Sequence, residues 1–416
     1  MKWFAGLQGF ILAVVFALTG CLNLGPEYHR PDGVVPIPGA FEEAMVPGDQ
    51  VTYDDKWWSI FNDPALNNYM DAVLAHNWDI ERTAGRILEL RALAGQTRAD
   101  RYPQVDIDWR NRKDVRHIDR PGGGRERDTF SAYDLSLPVF FEVDLWGRLA
   151  RAEEAVRAEL LRAEENRRAV AQTVVAEALA LYFEIESIER GLAISFGLID
   201  NFERNLRLVR RRYERGLASA LDLRQARRIL AESEATIPNL RRDLGTRQHR
   251  LSILMGKYPS ANPPRQHPDD YYERLPEVPA GLPSDLLLRR PDIRVVEARL
   301  MALNARVAEA LASRFPRITL TGSFGYQRNH FDQLFRSDSE LWTFANGVTQ
   351  PIFDAGRLEE GQRAAEARYR QGVADYAQTV LTAFAEVEDA LLTRREQLER
   401  RKLVVTFLDE ARQTQN

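Results

Sequence analysis

One short phrase occurs twice in this chain, and its recurrence limits the fold more than any other property. Arg101-Tyr102-Pro103-Gln104-Val105 returns as Arg314-Phe315-Pro316-Arg317-Ile318, 213 residues later. Pro138 and Pro351 repeat at the same offset, so each proline-bounded unit spans 35 residues. Gly147-Arg148 follows the first unit and Gly356-Arg357 the second, and a long helical segment comes next in both. A length of 416 residues would otherwise suggest two or three unrelated domains. Duplication at this scale means one architecture built twice.

Inside each unit the residues alternate as in half-buried strands. Val105, Ile107 and Trp109 alternate with Gln104, Asp106, Asp108 and Arg110; Tyr133, Leu135 and Leu137 alternate with Ala132, Asp134 and Ser136. In the second copy Ile318, Leu320, Phe324 and Tyr326 interleave with Thr319, Thr321, Ser323 and Gln327, and Trp342, Phe344 and Val348 with Thr343, Ala345 and Thr349. Each stretch is roughly ten residues, the length a tilted strand needs to cross a bilayer. The links are polar, 113–129 and 328–340, and the Gly122-Gly123-Gly124 run reads as a surface loop because no Gly-Lys-Ser/Thr accompanies it. Four strands are too few to close a barrel with a lumen. In lipid their open edges would stay unsatisfied, so a membrane role requires oligomerisation, and three protomers would supply twelve strands. Four strands of a soluble sheet are the alternative at this point.

The helical segments carry heptad spacing. The stretch from Arg148 to Arg215 contains no proline and would run roughly 100 Å as one helix. Leu160, Val174, Leu181 and Ile188 fall on one seam; Leu223, Leu230, Ile237, Leu244 and Leu251 fall on another, and Val373, Val380 and Val387 on a third. Pro238 predicts a kink in the second. The segments 64–101 and 222–255 together match the long helix in length, so two short helices could lie end to end beside one long one. An ordinary coiled-coil stalk is the alternative to a helical tube.

The N-terminus reads as an export signal: Lys2, an apolar run from Phe10 to Leu18, then Leu18-Thr19-Gly20-Cys21. This spacing resembles the bacterial lipobox, and Cys21 is the only cysteine. Acylation there would anchor the chain, at about 0.8 kcal/mol per buried CH₂. Leu22 in place of Asp suits sorting to the outer membrane. A lone cysteine excludes internal disulfides and Cys-based metal knuckles, and the six histidines are scattered. No later segment is long and apolar enough for a transmembrane helix, which excludes a helical transporter and leaves a β-barrel open. With 57 basic and 61 acidic residues, nothing in the charge favours a nucleic-acid partner. No G-x-S-x-G, H-E-x-x-H or Cys–His pairing supports an exported hydrolase, so an enzyme and a cofactor are not expected.

The chain resembles the TolC-type outer-membrane factors, in the lipoprotein branch serving RND efflux pumps. The resemblance is carried by Gly25-Pro26-Glu27-Tyr28-His29-Arg30-Pro31, by Trp57-Trp58 ahead of Phe61-Asn62-Asp63-Pro64, and most specifically by Gly281-Leu282-Pro283-Ser284-Asp285-Leu286-Leu287-Leu288-Arg289-Arg290-Pro291-Asp292-Ile293. Pro291 suits the first turn of a helix. Arg212-Tyr213-Glu214-Arg215-Gly216 with Asp222 resembles the family's periplasmic tip: Gly216 fits a left-handed C′ position, Asp222 would cap the returning helix, and in the family an acid there also helps hold the tip closed.

The resemblance implies a mainly α fold with membrane β. By that resemblance the expected assembly is a homotrimeric outer-membrane β-barrel of four strands per protomer, twelve in total, continued by a long periplasmic α-helical barrel. It implies a passive exit duct for drugs or other small molecules, with a periplasmic adaptor, an inner-membrane RND-type pump and outer-membrane lipid as partners. If the apolar strand residues face lipid, Asp106, Asp108, Asp134, Ser136, Thr319, Thr321 and Ser323 line the lumen. A structural or adhesive coiled-coil lipoprotein is the competing reading. The expected boundaries are a signal peptide at 1–20, a lipid-anchored equatorial segment at 21–63, and a first repeat at 64–256 with its strand pair at 104–138 and tip near 216. A linker at 257–290 and a second repeat at 291–416, strand pair 317–350, complete the division. Counting from Gly356 as from Gly147 puts the second tip near position 425, so the chain reads as truncated before that turn, and exposed heptad faces are expected to weaken assembly.

Overall fold

A computed structural model describes residues 24–31, 33–42, 56–119, 125–260 and 289–413. The expected signal peptide, Cys21, Gly122-Gly123-Gly124 and most of the 257–290 linker lie outside these residues.

Seven helices account for most of the described chain. They are α1 (Pro64–His76), α2 (Trp78–Ala99), α3 (Arg148–Glu214), α4 (Ala220–Glu234), α5 (Ile237–Leu254), α6 (Pro291–Ala312) and α7 (Arg357–Gln413). The repeat is exact at one place: α2 and α6 are both 22 residues long and start and end 213 residues apart. Two expectations need correction. The helix expected over 64–101 is broken at Asn77, whose Oδ1 accepts from the Asp79 and Ile80 amides and so caps a new helix. The returning helix does not kink at Pro238. It breaks at Ala235–Thr236, and Pro238 sits in the first turn of α5, where its missing N–H is no loss.

The strands are β1 (Gln104–Val105), β2 (Asp108–Asp119), β3 (Arg125–Val143), β4 (Arg317–Arg328) and β5 (Glu340–Thr349), all antiparallel. β1 and β2 both pair with β3 in one continuous register, and β4 and β5 follow. The Asp106 amide donates to the Pro138 carbonyl (3.1 Å) across the break between β1 and β2. The sheet is therefore four strands wide, as the alternation predicted. Its first hairpin is longer than expected. Lys113 to Asp119 and Arg125 to Thr129 are paired strand rather than loop. β3 also runs past Pro138 to Val143, because Pro138 needs no N–H to keep its place opposite Ser323.

Both long helices start by the same device. Asp144 accepts from the Leu149 and Ala150 amides, and Asp354 from the Gly356 and Leu358 amides. Gly147 (φ 77°) and Gly356 (φ 83°) make the left-handed turn that brings each carboxylate to its helix.

The described residues fall into two compact units. One takes those within 1–37, 87–164 and 287–386. It holds the sheet and a core of Val35, Ile293, Leu300, Tyr376, Val380 and Ala383. The other takes those within 38–86, 165–286 and 387–416, and packs Leu66, Met70 and Val73 of α1 and Leu251 and Leu254 of α5 onto Val174, Ala178, Tyr182 and Ile185 of α3. On the heptad seams Val174, Leu181, Ile237, Leu251 and Val380 are buried, while Leu160, Ile188, Leu223, Leu230, Leu244, Val373 and Val387 are half-buried. Asp63 caps α1 through the Ala65 and Leu66 amides and also accepts the Tyr182 hydroxyl.

Candidate functional site

Antiparallel pairing puts partnered residues on the same side of a sheet. Trp109 pairs with Leu135, Leu135 with Tyr326, Leu137 with Phe324, and Phe324 with Trp342. These residues, with Val139, Phe141, Ile318, Leu320, Phe344 and Val348, form an apolar face. The opposite face carries Asp108, Asp134, Ser136, Thr319, Thr321, Ser323 and Gln327, and Asp106 stands opposite Pro138 on that side. All seven residues expected in a lumen thus share one face, although Phe130, Phe140 and Leu341 share it too. From Tyr133 to Val143 the apolar face spans ten residue steps. At about 3.3 Å per step that is roughly 33 Å along the strand, or about 25 Å of height at a 40° tilt. An outer-membrane barrel needs an apolar band of that height.

The rim below this band is organised by Trp146, whose ring stacks on Phe315 (centroids 5.0 Å) and whose indole N–H donates to the Pro316 carbonyl (2.8 Å). The Trp146 carbonyl accepts from the Leu24 amide (3.4 Å), three residues after Cys21 in sequence. The segment then follows α6. Asn304 donates to the Pro26 carbonyl (2.9 Å), and Arg30 pairs with the buried Glu297 (2.7 Å). Burial and the Glu297 charge push the Tyr28 phenol well above its ordinary range. Gly25-Pro26-Glu27-Tyr28-His29-Arg30, one of the stretches carrying the family resemblance, is therefore a fitted strap. Its recognising partners, Glu297 and Asn304, gave no signal in the sequence because they lie more than 260 residues away.

The hairpin tip is built as the sequence suggested, with one change of role. Gly216 (φ 73°) and Leu217 close a two-bond helix terminus, donating to the Tyr213 and Arg212 carbonyls respectively. The returning helix is capped by Ser219, not Asp222. Asp222 stands three residues on and completes a reciprocal box, accepting from the Ser219 hydroxyl (2.7 Å) and amide (2.8 Å) while its own amide donates to the Ser219 Oγ. Those hydrogen bonds hold the Asp222 carboxyl below the usual aspartate value. Arg212, Gly216 and Asp222 are all solvent-exposed.

Among the described residues no group of His, Cys, Asp and Glu could hold a metal ion, and no helix is long and apolar enough to cross a membrane.

A two-faced sheet of bilayer height, joined to helices far too long for an ordinary globular domain, defines a class: a membrane β-barrel subunit with a helical extension. The family model described as "Outer membrane efflux protein" matches residues 69–257 and 282–416, and the chain belongs to that family. It is 32% identical over 388 residues to the probable outer membrane lipoprotein SilC of Salmonella typhimurium, covering 92% of this chain and 82% of SilC. It is 33% identical over 384 residues to the toluene efflux pump outer membrane protein TtgI of Pseudomonas putida, covering 91% of this chain and 80% of TtgI. Among solved structures the outer-membrane channel OprN superposes with a TM-score of 0.82 at 29% identity, covering 92% of this chain and 85% of OprN; CusC follows at 0.81 and 28%, covering 93% and 86%. The protein is an outer-membrane component of an efflux system, and its family is one of channels rather than enzymes.

Proposed function

We propose that three copies of this chain close a twelve-stranded barrel in the outer membrane and form the passive exit duct of a tripartite pump. The supporting observation is the segregation of the sheet into an apolar face of bilayer height and a polar face carrying Asp106, Asp108, Asp134, Ser136, Thr319, Thr321 and Ser323. On this reading the polar face lines the lumen and the free edges of β2 and β5 pair between protomers, which removes every exposed edge from lipid. A periplasmic adaptor joins the duct to an inner-membrane RND-type pump that supplies the energy. Drugs or other small molecules pass through with no bond made or broken. Cys21 carries the lipid, and the Leu24–Trp146 hydrogen bond supports that role by tying the following segment to the rim of the sheet. The tip around Arg212, Gly216 and Asp222 opens by an iris-like rearrangement of helices.

A coiled-coil adhesin explains the heptads but has no use for a two-faced sheet. Two measurements test the duct. On a gel, the detergent-extracted protein should run as a trimer that heat dissociates; in a planar bilayer it should conduct ions. A trimeric, folded preparation without conductance would refute it.

A further inference from the structure

The loop between β4 and β5, at the far end of the sheet, has a defined internal structure. Residues 329–339 fold into two single helical turns. Ser339 Oγ donates to the Gln333 carbonyl (2.8 Å) and accepts from Arg328 Nε (2.7 Å), and Arg328 also pairs with Asp338 (2.7 Å). Leu334 is fully buried beneath the loop. The loop therefore has one defined position, and that position is on the apolar face. Phe331 rests against Trp109 (5.9 Å) and Tyr133 (5.7 Å), and Phe335 against Tyr326 (5.7 Å). Three strands are crossed in this way. Yet Phe331 and Phe335 remain 58% and 66% exposed, an unusual state for two rings aimed at the same face.

The sheet itself says what covers them. Above Trp109 and Tyr133 the β2–β3 hairpin continues without β4, and its outward side becomes Asn111, Lys113, His117, Arg127, Thr129 and Ser131, with Val115 the one apolar exception. Below that level the same side of β3 and β4 is apolar down to Val143 and Ile318, and on β5 Asn346, opposite Leu320, is the polar exception. The change from apolar to polar marks where hydrocarbon gives way to the headgroups, and Phe331 and Phe335 sit at that line. Large rings with one apolar side and a polar surrounding prefer this interface.

We propose that the 329–339 loop is an outer-leaflet lipid anchor: Phe331 and Phe335 insert into the interfacial layer of the bilayer and fix the depth at which the barrel sits. The inference rests on the reading that the apolar face meets lipid. Its test places a nitroxide on single cysteines, Phe331→Cys and Phe335→Cys, in a Cys21→Ser background reconstituted into phospholipid vesicles. Phe324→Cys serves as a mid-band reference and Lys113→Cys as an aqueous one. The ratio of oxygen to nickel-chelate accessibility at 331 and 335 should exceed that at 113 several-fold and fall below that at 324. If 331 and 335 match 113 while 324 is lipid-like, the anchor is overturned and the duct stands. If 324 is also aqueous, the bilayer reading fails and the anchor with it. Both labelled rings are exposed, so the substitutions leave the buried Leu334 and the Arg328–Ser339 bonds intact, and near-native helical signal in each variant confirms the fold.

Discussion

The two copies reuse one contact with different chemistry. In the first, Arg101 reaches the start of α3 and binds Glu153 (2.7 Å), six residues after Gly147. In the second, Arg314 reaches the start of α7 and binds Gln362 (2.8 Å), six residues after Gly356. The guanidinium, the phrase Arg-aromatic-Pro around it and the geometry are kept; the acceptor is charged in one copy and neutral in the other. Glu153 is buried and takes Arg157 as a second cation, whereas Gln362 is half-buried. A buried carboxylate needs its cations, because either alone would leave a charge in low dielectric. An amide tolerates a looser setting. Duplication has thus conserved the position of the hydrogen bond while burial decided its charge.

A larger difference separates the long helices. In the first copy the returning helix packs back on α3: Leu251 is fully buried, and Arg247 and Arg250 pair with Glu184 and Glu177. In α7 the buried residues are Ala365, Gly372, Tyr376, Val380 and Ala383, and the side chains from Leu403 to Leu408 stay open. The largest expected effect probes this contrast. Leu251→Ala should cost about 2–5 kcal/mol by cavity formation, and Leu403→Ala, 65% exposed, should stay within about 0.5 kcal/mol. Urea unfolding followed by helical signal measures both, and equal losses would abolish the distinction.

The sheet is where the copies should behave alike. Leu137→Arg in β3 and Phe324→Arg in β4 face each other across the register. Each should cost about 2–4 kcal/mol of insertion into lipid. Thr321→Arg, on the other face, should insert normally. Flotation with liposomes separates these outcomes, and an insertion defect in all three would mean the faces are misassigned. Next come the matched helix starts: Asp144→Ala and Asp354→Ala should each lose about 1 kcal/mol, and a difference much larger than that would show that one start carries more than a cap.

The smallest effect is in pH. Burial alone would raise the Glu153 carboxyl, but hydrogen bonds and charge from Arg101 and Arg157 win and hold it below the usual glutamate value. A depressed carboxyl stabilises the fold above its unfolded value and loses that contribution as the pH falls through the folded one. Stability should therefore decline through Glu153 as the pH falls below the usual glutamate range. Glu153→Gln, which gives the first copy the second copy's acceptor, should flatten that decline, while Gln362→Glu should add a new acid-sensitive step. Melting temperatures across pH 3–6 would show it; unchanged slopes would sink the idea.

Much of this was legible in the residues. The alternation in β2 to β5 put Asp108, Asp134, Ser136, Thr319, Thr321 and Ser323 on one face of the sheet, because a strand's side-chain period of two needs no knowledge of its neighbours. The heptad leucines marked the seams for the same reason at a different period. The break at Asn77 was missed, and the one at Ala235–Thr236 was expected at Pro238, since a cap depends on which amides a side chain happens to meet. Asp144 and Asp354 passed unnoticed although each precedes a Gly-Arg, and the extension of the first hairpin to Asp119 and Arg125 was hidden by its charge. Along that extension the outward side is mostly polar, Lys113, His117, Arg127 and Thr129, so it offers no apolar alternation to read.

By itself the sequence determined the duplication, the strand faces, the long helices and the turn at Gly216, all of which follow from local period and backbone freedom. Only the tertiary structure decided that Arg30 meets Glu297, that Ser219 and not Asp222 caps the returning helix, and that Phe331 and Phe335 lie on the apolar face of the sheet. These depend on which groups distant segments bring within a few ångströms of each other, and periodicity carries no record of that distance.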